Sequence, residues 1–326
     1  MPEIFYKLKT KISFLKHNFG KIIFLVFIFF IFLITIYFYN YYFTFGNLQI
    51  TFLDVGQGDA IFIETPSHKK IILDSGPNEK ILVAVDKEMG LFRKEIDRAI
   101  LTHTDQDHGA GFISLFQKYN ISEIIWNGDR NPKTEIWQTL QKEIFIRKNQ
   151  IADCGDMIDF QDGVNLFILH PESQNLFMND TNANSVVILL IYKNYSFLFT
   201  GDIDSGVERK LFFNLEKCFA LTQSSKFSEN LNKINSALKN LTVLKVSHHG
   251  SNTASQENFL KKMKPIYSII SVAKEKKYNL PHAEVLSRLQ KYSKYILRTD
   301  ESGNIKFIIS DSEKTFEIQK EKYFFK

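Results

Sequence analysis

Residues 97–111 read DRAILTHTDQDHGAG. The apolar trio Ala99-Ile100-Leu101 reads as a short buried strand, and GFISLFQKY (111–119) has apolar residues at helical spacing. The stretch between them is therefore a strand-to-helix turn. Two histidines, His103 and His108, and two aspartates, Asp105 and Asp107, are gathered in that turn. Imidazole and carboxylate are the donors that borderline and hard divalent cations accept. Alternate residues on a tight turn can converge on one centre, while the adjacent pair Asp107-His108 points toward a second. The competing reading is a solvated polar loop, and a buried strand running straight into the cluster argues against it.

Strands and helices alternate on both sides. LQITFLD (48–54), AIFIE (60–64), KKIILDSG (69–76), SEIIWN (122–127) and VNLFILH (164–170) read as strands, as do TVLKVSHHG (242–250) and IYSIISV (266–272). SVVILLIY (185–192) and YSFLFTGD (195–202) read as a hairpin around Lys193-Asn194, and YILRTD (295–300) and NIKFIIS (304–310) as another through Glu301-Ser302-Gly303. Helices are expected over 78–90, 111–119, 133–145, 205–217, 254–263 and 282–292, the last following Pro281. The segment from Phe212 to Leu241 is the least patterned: SSKFSENLNK (224–233) within it is polar and without period, and a surface excursion or an extra helix is expected there. Such alternation predicts a layered α/β body.

Polar residues collect where these strands end, the usual place for sites in layered α/β folds. Asp202 ends YSFLF. Alone it reads as an N-cap for the following helix; with the first cluster it reads as a carboxylate bridging two metals. His248 and His249 end VLKV. At least one reads as a ligand, but neighbours on an extended end point opposite ways, so spacing does not choose between them. His170, before Pro171, reads equally as a ligand or as a histidine satisfied by local hydrogen bonds. Asp54, Asp59 and Asp74 sit in the glycine turns DVGQGD and DSG, either as turn formers or as carboxylates that orient ligand histidines. VGQGD lacks the spacing and lysine of a P-loop.

The N-terminus is different in kind. No charged residue occurs between Ile22 and Ile50, and the core of that run is long enough to cross a bilayer as a helix. Lys7, Lys9, Lys11, Lys16 and Lys21 precede it, and Tyr37, Tyr39, Tyr41 and Tyr42 suit an interfacial belt at its far end. Positive residues stay inside, so the expected topology is a single pass through the plasma membrane, with a cytoplasmic tail (1–21), an anchor (22–45) and an extracytoplasmic body (48–326). No small-residue cleavage pattern follows the run, so an uncleaved anchor is expected. The 326-residue chain has a net charge of +5; the first 45 residues carry +4, which leaves +1 for the rest. The basic balance is thus an orientation signal and no argument for a nucleic-acid groove. Two cysteines, Cys154 and Cys218, show no metal-knuckle spacing. Outside the membrane a disulfide between them is chemically allowed.

Taken in order, these motifs resemble the metallo-β-lactamase fold, and more narrowly the extracytoplasmic hydrolase domain of ComEC-type competence proteins. The matching stretches are Asp54–Ala60 (DVGQGDA), Ile72–Gly76 (ILDSG), His103–Gly111 (H-x-D-x-D-H-x-x-G), Asn184-Ser185, Leu198–Asp202 (LFTGD), His248–Ser251 (HHGS) and Arg298–Gly303 (RTDESG). They cover nearly all of residues 48–310. The resemblance implies an αββα sandwich with one or two divalent metals, zinc or manganese, at one edge. His103 and Asp105 would hold one metal and Asp107 and His108 the other, with Asp202 between them and His248 or His249 completing a shell. Asp105, Asp107 and Asp202 would be the catalytic carboxylates. Asn184, Ser185, Ser251 and His282 would support the site or touch substrate, as would Asp54, Asp59 and Asp74. One departure stands out: a histidine the family often carries in Y-G-H-P is replaced in Tyr278-Asn279-Leu280-Pro281 by Leu280, with His282 just beyond. The implied function is a membrane-anchored metallohydrolase cutting phosphodiester bonds in DNA outside the membrane during DNA uptake, beside a separate membrane channel protein. A metallohydrolase of another ester or amide, and a non-catalytic anchored DNA-binding or assembly module, are the alternatives.

Overall fold

The computed structural model describes residues 2–43, 46–90, 93–130, 134–177, 180–221, 227–275, 279–310 and 316–321. Lys133 and Tyr278, named above, lie outside these residues, as do 44–45 of the expected anchor and 322–326 of the expected body. The chain divides into two compact units, Met1–Gly46 and Asn47–Lys326. In the first, one helix, α1 (Pro2–Phe43), runs unbroken through both the lysine-bearing stretch and the apolar run. Its segment Phe19–Tyr39 is fully exposed and, by length and composition, able to cross a membrane.

In chain order the second unit begins with β1 (Leu48–Phe52), β2 (Ile61–Glu64), β3 (Lys70–Leu73), α2 (Lys80–Met89), β4 (Glu95–Ile96), β5 (Arg98–Leu101), α3 (Gln106–Gly109), α4 (Gly111–Lys118), β6 (Asn120–Ile121), β7 (Ile124–Trp126) and α5 (Glu135–Phe145). There follow β8 (Asn149–Ile151), β9 (Met157–Asp159), β10 (Val164–His170), β11 (Val187–Tyr192), β12 (Tyr195–Phe199), α6 (Ser205–Leu221), α7 (Phe227–Lys239) and β13 (Val243–Lys245). The last elements are α8 (Glu257–Met263), β14 (Tyr267–Ile270), α9 (Ala283–Tyr292), β15 (Tyr295–Arg298), α10 (Thr299–Ser302), β16 (Ile305–Ile309) and β17 (Phe316–Lys320).

Two large sheets form among the described residues. One runs β17-β16-β1-β2-β3-β5-β7-β8 and the other β15-β14-β13-β12-β11-β10-β9. Period-two patterning explains how they stack. In β11, Ile188, Leu190 and Tyr192 join the apolar layer between the sheets, while Val187, Leu189 and Ile191 join a layer under helices α6 to α9. In β3, Ile71 and Leu73 face the inner layer and Ile72 the layer under α2, α4 and α5. Helix, sheet, sheet, helix is therefore the order of layers, the αββα sandwich that the resemblance implies. Burying a residue such as Phe199 or Phe307 in the inner layer contributes roughly 1.5–3 kcal/mol.

One expectation is corrected. Residues 295–300 and 304–310 do not close a hairpin on each other: β15 pairs in parallel with β14 in the second sheet, and β16 pairs antiparallel with β1 in the first. The chain crosses between sheets through α10, and β16 finds its hairpin partner in β17, which the charged FEIQK pattern did not announce. Between Phe212 and Leu241 the described residues hold the extra helix that was one of the two expected outcomes: α6 continues to Leu221, and α7 lays Ile234 and Leu238 on the second sheet.

Cys154, in the turn between β8 and β9, is bonded to Cys218 on α6 across a separation of 64 residues. Closing a loop of that length restricts the unfolded chain and is worth at most about 4 kcal/mol. Reduction, or joint Cys154→Ser and Cys218→Ser substitution, is expected to lower the urea midpoint of the body; an unchanged midpoint would show that the bond does not constrain the folded protein.

Candidate metal centre

The site lies where parallel strands of both sheets end. β3 delivers Asp74 and its parallel neighbour β5 delivers Thr102 and His103. Asp74 accepts the Thr102 N–H (2.8 Å) and the Thr102 hydroxyl (2.7 Å), and its Oδ2 also accepts Nδ1–H of His108 (2.8 Å). Because the Thr102 proton is committed to Asp74, its oxygen can only accept from His103 Nδ1–H (3.0 Å). Both imidazoles are thereby oriented with Nε2 turned toward the centre. That of His103 is buried and has no hydrogen-bond partner. The turn carrying them is clamped from below: a Cβ on Gly58 would lie 2.0 Å from the Asp107 carbonyl oxygen, and one on Gly111 would lie 2.1 Å from that of Ser75. Only glycine lets these backbones approach so closely.

The second sheet supplies the opposite wall. Asp202 follows β12, and its N–H donates to the Ser185 hydroxyl (3.0 Å), whose oxygen lies 3.3 Å from His103 Nδ1. After β13 the chain turns through His248 and His249, both in the left-handed region (φ 50° and 52°). Such backbone strain costs on the order of 1–3 kcal/mol per residue and aims a side chain that an extended end would not. His249 Nδ1–H donates to the Ser271 carbonyl after β14 (2.8 Å), which turns Nε2 toward the centre. That atom lies 3.2 Å from Asp202 Oδ2, 3.4 Å from Asp107 Oδ2 and 3.3 Å from His108 Nε2, and His108 Nε2 is 3.3 Å from Asp202 Oδ2. Among the described residues, four sets of donors each gather within 4.8 Å: His103/His108/Asp202, Asp107/His108/His249, Asp59/Asp74/His108 and Asp59/Asp202/His249. A buried, unpartnered imidazole nitrogen beside convergent carboxylates fits a borderline divalent cation such as zinc.

The same packing sets the charges. Burial opposes ionisation throughout, yet the charge of Asp202 and the hydrogen bond His249 donates to Asp107 carry His249 up to about 9. His108 is raised against burial by Asp202 and Asp74. Burial and the charge of His108 pull His103 down. Asp107 and Asp202 are held below the carboxylate range, against burial, by the imidazoles facing them. Protons do the neutralising here, and a cation entering the site would displace them.

Other residues fall at varying removes. Asp105 is partly exposed; its Oδ2 is 3.9 Å from His103 Nε2 and its Oδ1 accepts from Thr181 Oγ1 (2.7 Å). His248 does not join the four donor sets; its Nδ1 lies 3.3 Å from Thr253 Oγ1. His248, His249, Asp105, Asp107, Asp202, Gln57, Gln106, Pro77 and Leu280 line a cavity of about 430 Å³. His170 is not part of the centre: its Nε2 bonds the Ala183 carbonyl (2.7 Å) beside a separate cavity that holds the disulfide. Asp54 accepts the N–H of Gly56 in its own turn, and its own N–H donates to Asn304 Oδ1 (2.7 Å). Asn184 braces Phe177 through both amide atoms. Ser251 bonds Thr253, and His282 accepts the Asn252 N–H (2.9 Å) as it caps the turn before α9.

A metallo-beta-lactamase superfamily model matches residues 53–274, which hold this centre and most of both sheets. The chain belongs to the metallo-β-lactamase superfamily. It is 25% identical over 291 residues to "ComE operon protein 3" of Bacillus subtilis, covering 83% of this chain and 34% of that protein. It is 27% identical to "Recombination protein 2" of Haemophilus influenzae (79% of this chain, 28% of that protein) and 25% to "Competence protein ComA" of Neisseria gonorrhoeae (79% and 32%). The chain thus spans about a third of the length of these relatives.

This metallo-β-lactamase chain also uses residues that the sequence reading passed over: Thr102, Thr181, Ser271, Lys245 and Glu208. A lysine inside the apolar strand VLKV and a glutamate on the buried face of α6 were the available signals. Glu208 is buried and accepts the N–H groups of Ser255 and Gln256 and the hydroxyl of Ser247, so it ties α6 to the loop that follows the histidines. Burial pushes its carboxyl up to about 7 despite those donors. The folded protein therefore holds this proton over a range where the unfolded chain, ionising near 4.5, has lost it. The stability this contributes is complete below the unfolded value and is lost as pH rises to about 7, roughly 3 kcal/mol in all. In metal-free buffer, Glu208→Gln is expected to flatten the fall in melting temperature across this window; parallel wild-type and variant curves would refute the assignment.

Proposed function

We propose that this chain is a membrane-anchored, metal-dependent phosphodiesterase that cleaves DNA outside the membrane during DNA uptake. The observation that carries the reading is the convergence of three imidazoles, each with Nδ1 committed and Nε2 turned inward, on the carboxylates of Asp107 and Asp202. His103, Asp105 and Asp202 would hold one metal. Asp107, His108 and His249 would hold a second, with Asp202 shared, and zinc or manganese suits this mixture of nitrogen and oxygen donors. A divalent metal there supplies Lewis acidity toward a phosphoryl oxygen and acidifies a water near neutral pH. The chain itself orients the donors: Asp74, Thr102 and the Ser271 carbonyl fix the three ring tautomers, and Ser185 links His103 to the backbone of Asp202. Among the described residues lining the cavity there is no lysine or arginine, so a phosphodiester would owe its binding to the metals. Relatives named for competence and recombination support DNA as the substrate and a separate channel protein as the partner.

The apolar segment Phe19–Tyr39, the lysines before it and the Cys154–Cys218 disulfide together support an anchor with the body outside. Leu280, lining the cavity where the resembling family often has histidine, favours a second reading, a non-catalytic anchored DNA-binding module.

The full chain, purified in detergent, is expected to nick DNA with manganese or zinc and to stop on chelation. Asp107→Ala should lower the rate at least about a hundredfold, the scale of losing transition-state charge stabilisation. Stoichiometric metal with no cleavage of DNA, esters or amides would favour the second reading, and cleavage of an ester or amide alone would reassign the substrate. In cells, protease added from outside should digest the body while leaving a membrane-embedded N-terminal fragment; a protected body would overturn the topology.

A further inference from the structure

Lys245 is the last residue of β13, between parallel neighbours β12 and β14, and its side chain is wholly enclosed. It does not line the cavity, so it cannot act on a substrate there. Its Nζ donates to the Gly201 carbonyl (2.9 Å) and to Asp202 Oδ1 (3.3 Å), and it is paired with Asp59 Oδ2. Three oxygens thus surround one positive nitrogen, the environment in which a hard cation is held. The same place is one of the four donor sets: Asp59, Asp202 and His249 offer atoms within 4.8 Å of one another. The second oxygen of Asp59 is buried, has no hydrogen-bond partner and lies 3.7 Å from His249 Nδ1.

We infer that the Lys245 ammonium is an internal cation that fills a third cation position beside the metal centre and keeps metal out of it. Two carboxylates packed this closely need a positive charge beside them. The lysine supplies that charge permanently and is covalently tethered. It divides the work of Asp202: Oδ1 is held by Lys245, and Oδ2 is left for His108, His249 and whatever cation joins them. It also explains how Asp59 can sit among ligand-like groups and still be neutralised by the protein.

The inference rests on the metal-centre reading above, but its test is a difference between variants, so the two can fail separately. The full chain in detergent would be titrated with Mn2+ by calorimetry and melted with and without the ion. Lys245→Ala should bind one more equivalent than wild type. Its metal-free melting temperature should fall by about 10 °C, as a broken buried ion pair implies, and Mn2+ should restore it. Asp59→Asn/Lys245→Met removes both charges and refills the space; it should bind as many equivalents as wild type and melt near it. Lys245→Ala binding no extra equivalent, or staying unfolded in saturating Mn2+, would overturn the inference, as would an extra equivalent in the double variant. Wild type binding no Mn2+ at all would instead sink the hydrolase reading, while the difference between variants still decides the role of Lys245.

Discussion

Asp59, Asp74, Asp202, Lys245, His108 and His249 are each almost completely buried, side by side, where the strands of two sheets end. An unpaired ion in such a place costs several kcal/mol, so every one of these groups has to face an opposite charge or a committed hydrogen-bond partner. That requirement organises the surroundings. Asp74 receives Thr102 and His108, Lys245 lies between Asp59 and Asp202, and the Ser271 carbonyl takes the outer proton of His249. Remove one partner and the cost falls on a neighbour, which is why these positions behave as a network.

The sandwich makes this arrangement affordable. Three apolar layers hold the two sheets and their helices rigidly, and the polar groups are confined to one edge of the stack. Loops from both sheets are drawn together there. The Asp59 N–H donates to the Asp107 carbonyl (3.2 Å) and the His248 N–H to that of Gly201 (3.3 Å). Glycine at 58 and 111 permits the close approach on one side, and the left-handed turn at His248-His249 aims the imidazole on the other. Strain of that kind persists where the surrounding packing over-determines it.

The layered fold and the chemistry of its site were legible because both are written locally. Period-two and period-3.6 patterns marked most strands and helices, and HTDQDH after an apolar strand marked the donors. What was missed depends on partners distant in sequence. YILRTD and NIKFIIS look like a hairpin because a tight turn separates them, but the two sheets compete for them and each takes one strand. His170 has the same local signature as Asp202, an end-of-strand polar residue, and differs only in bonding the Ala183 carbonyl. Lys245 is a lone charge in VLKV, and its partner Asp59 lies 186 residues earlier, so only the fold brings the two together.

Residue types and their spacing along the chain therefore determined the kind of protein this is: a layered α/β body with imidazole and carboxylate donors at strand ends, behind an apolar helix of spanning length. Spacing reports only which residues are neighbours on one element. The tertiary structure alone decided that His249 and not His248 meets Asp107 and Asp202, that Cys154 meets Cys218, and that Lys245 closes the triangle beside the centre. Each is a contact between elements, set by backbone strain, layer packing and the need to pair buried charge.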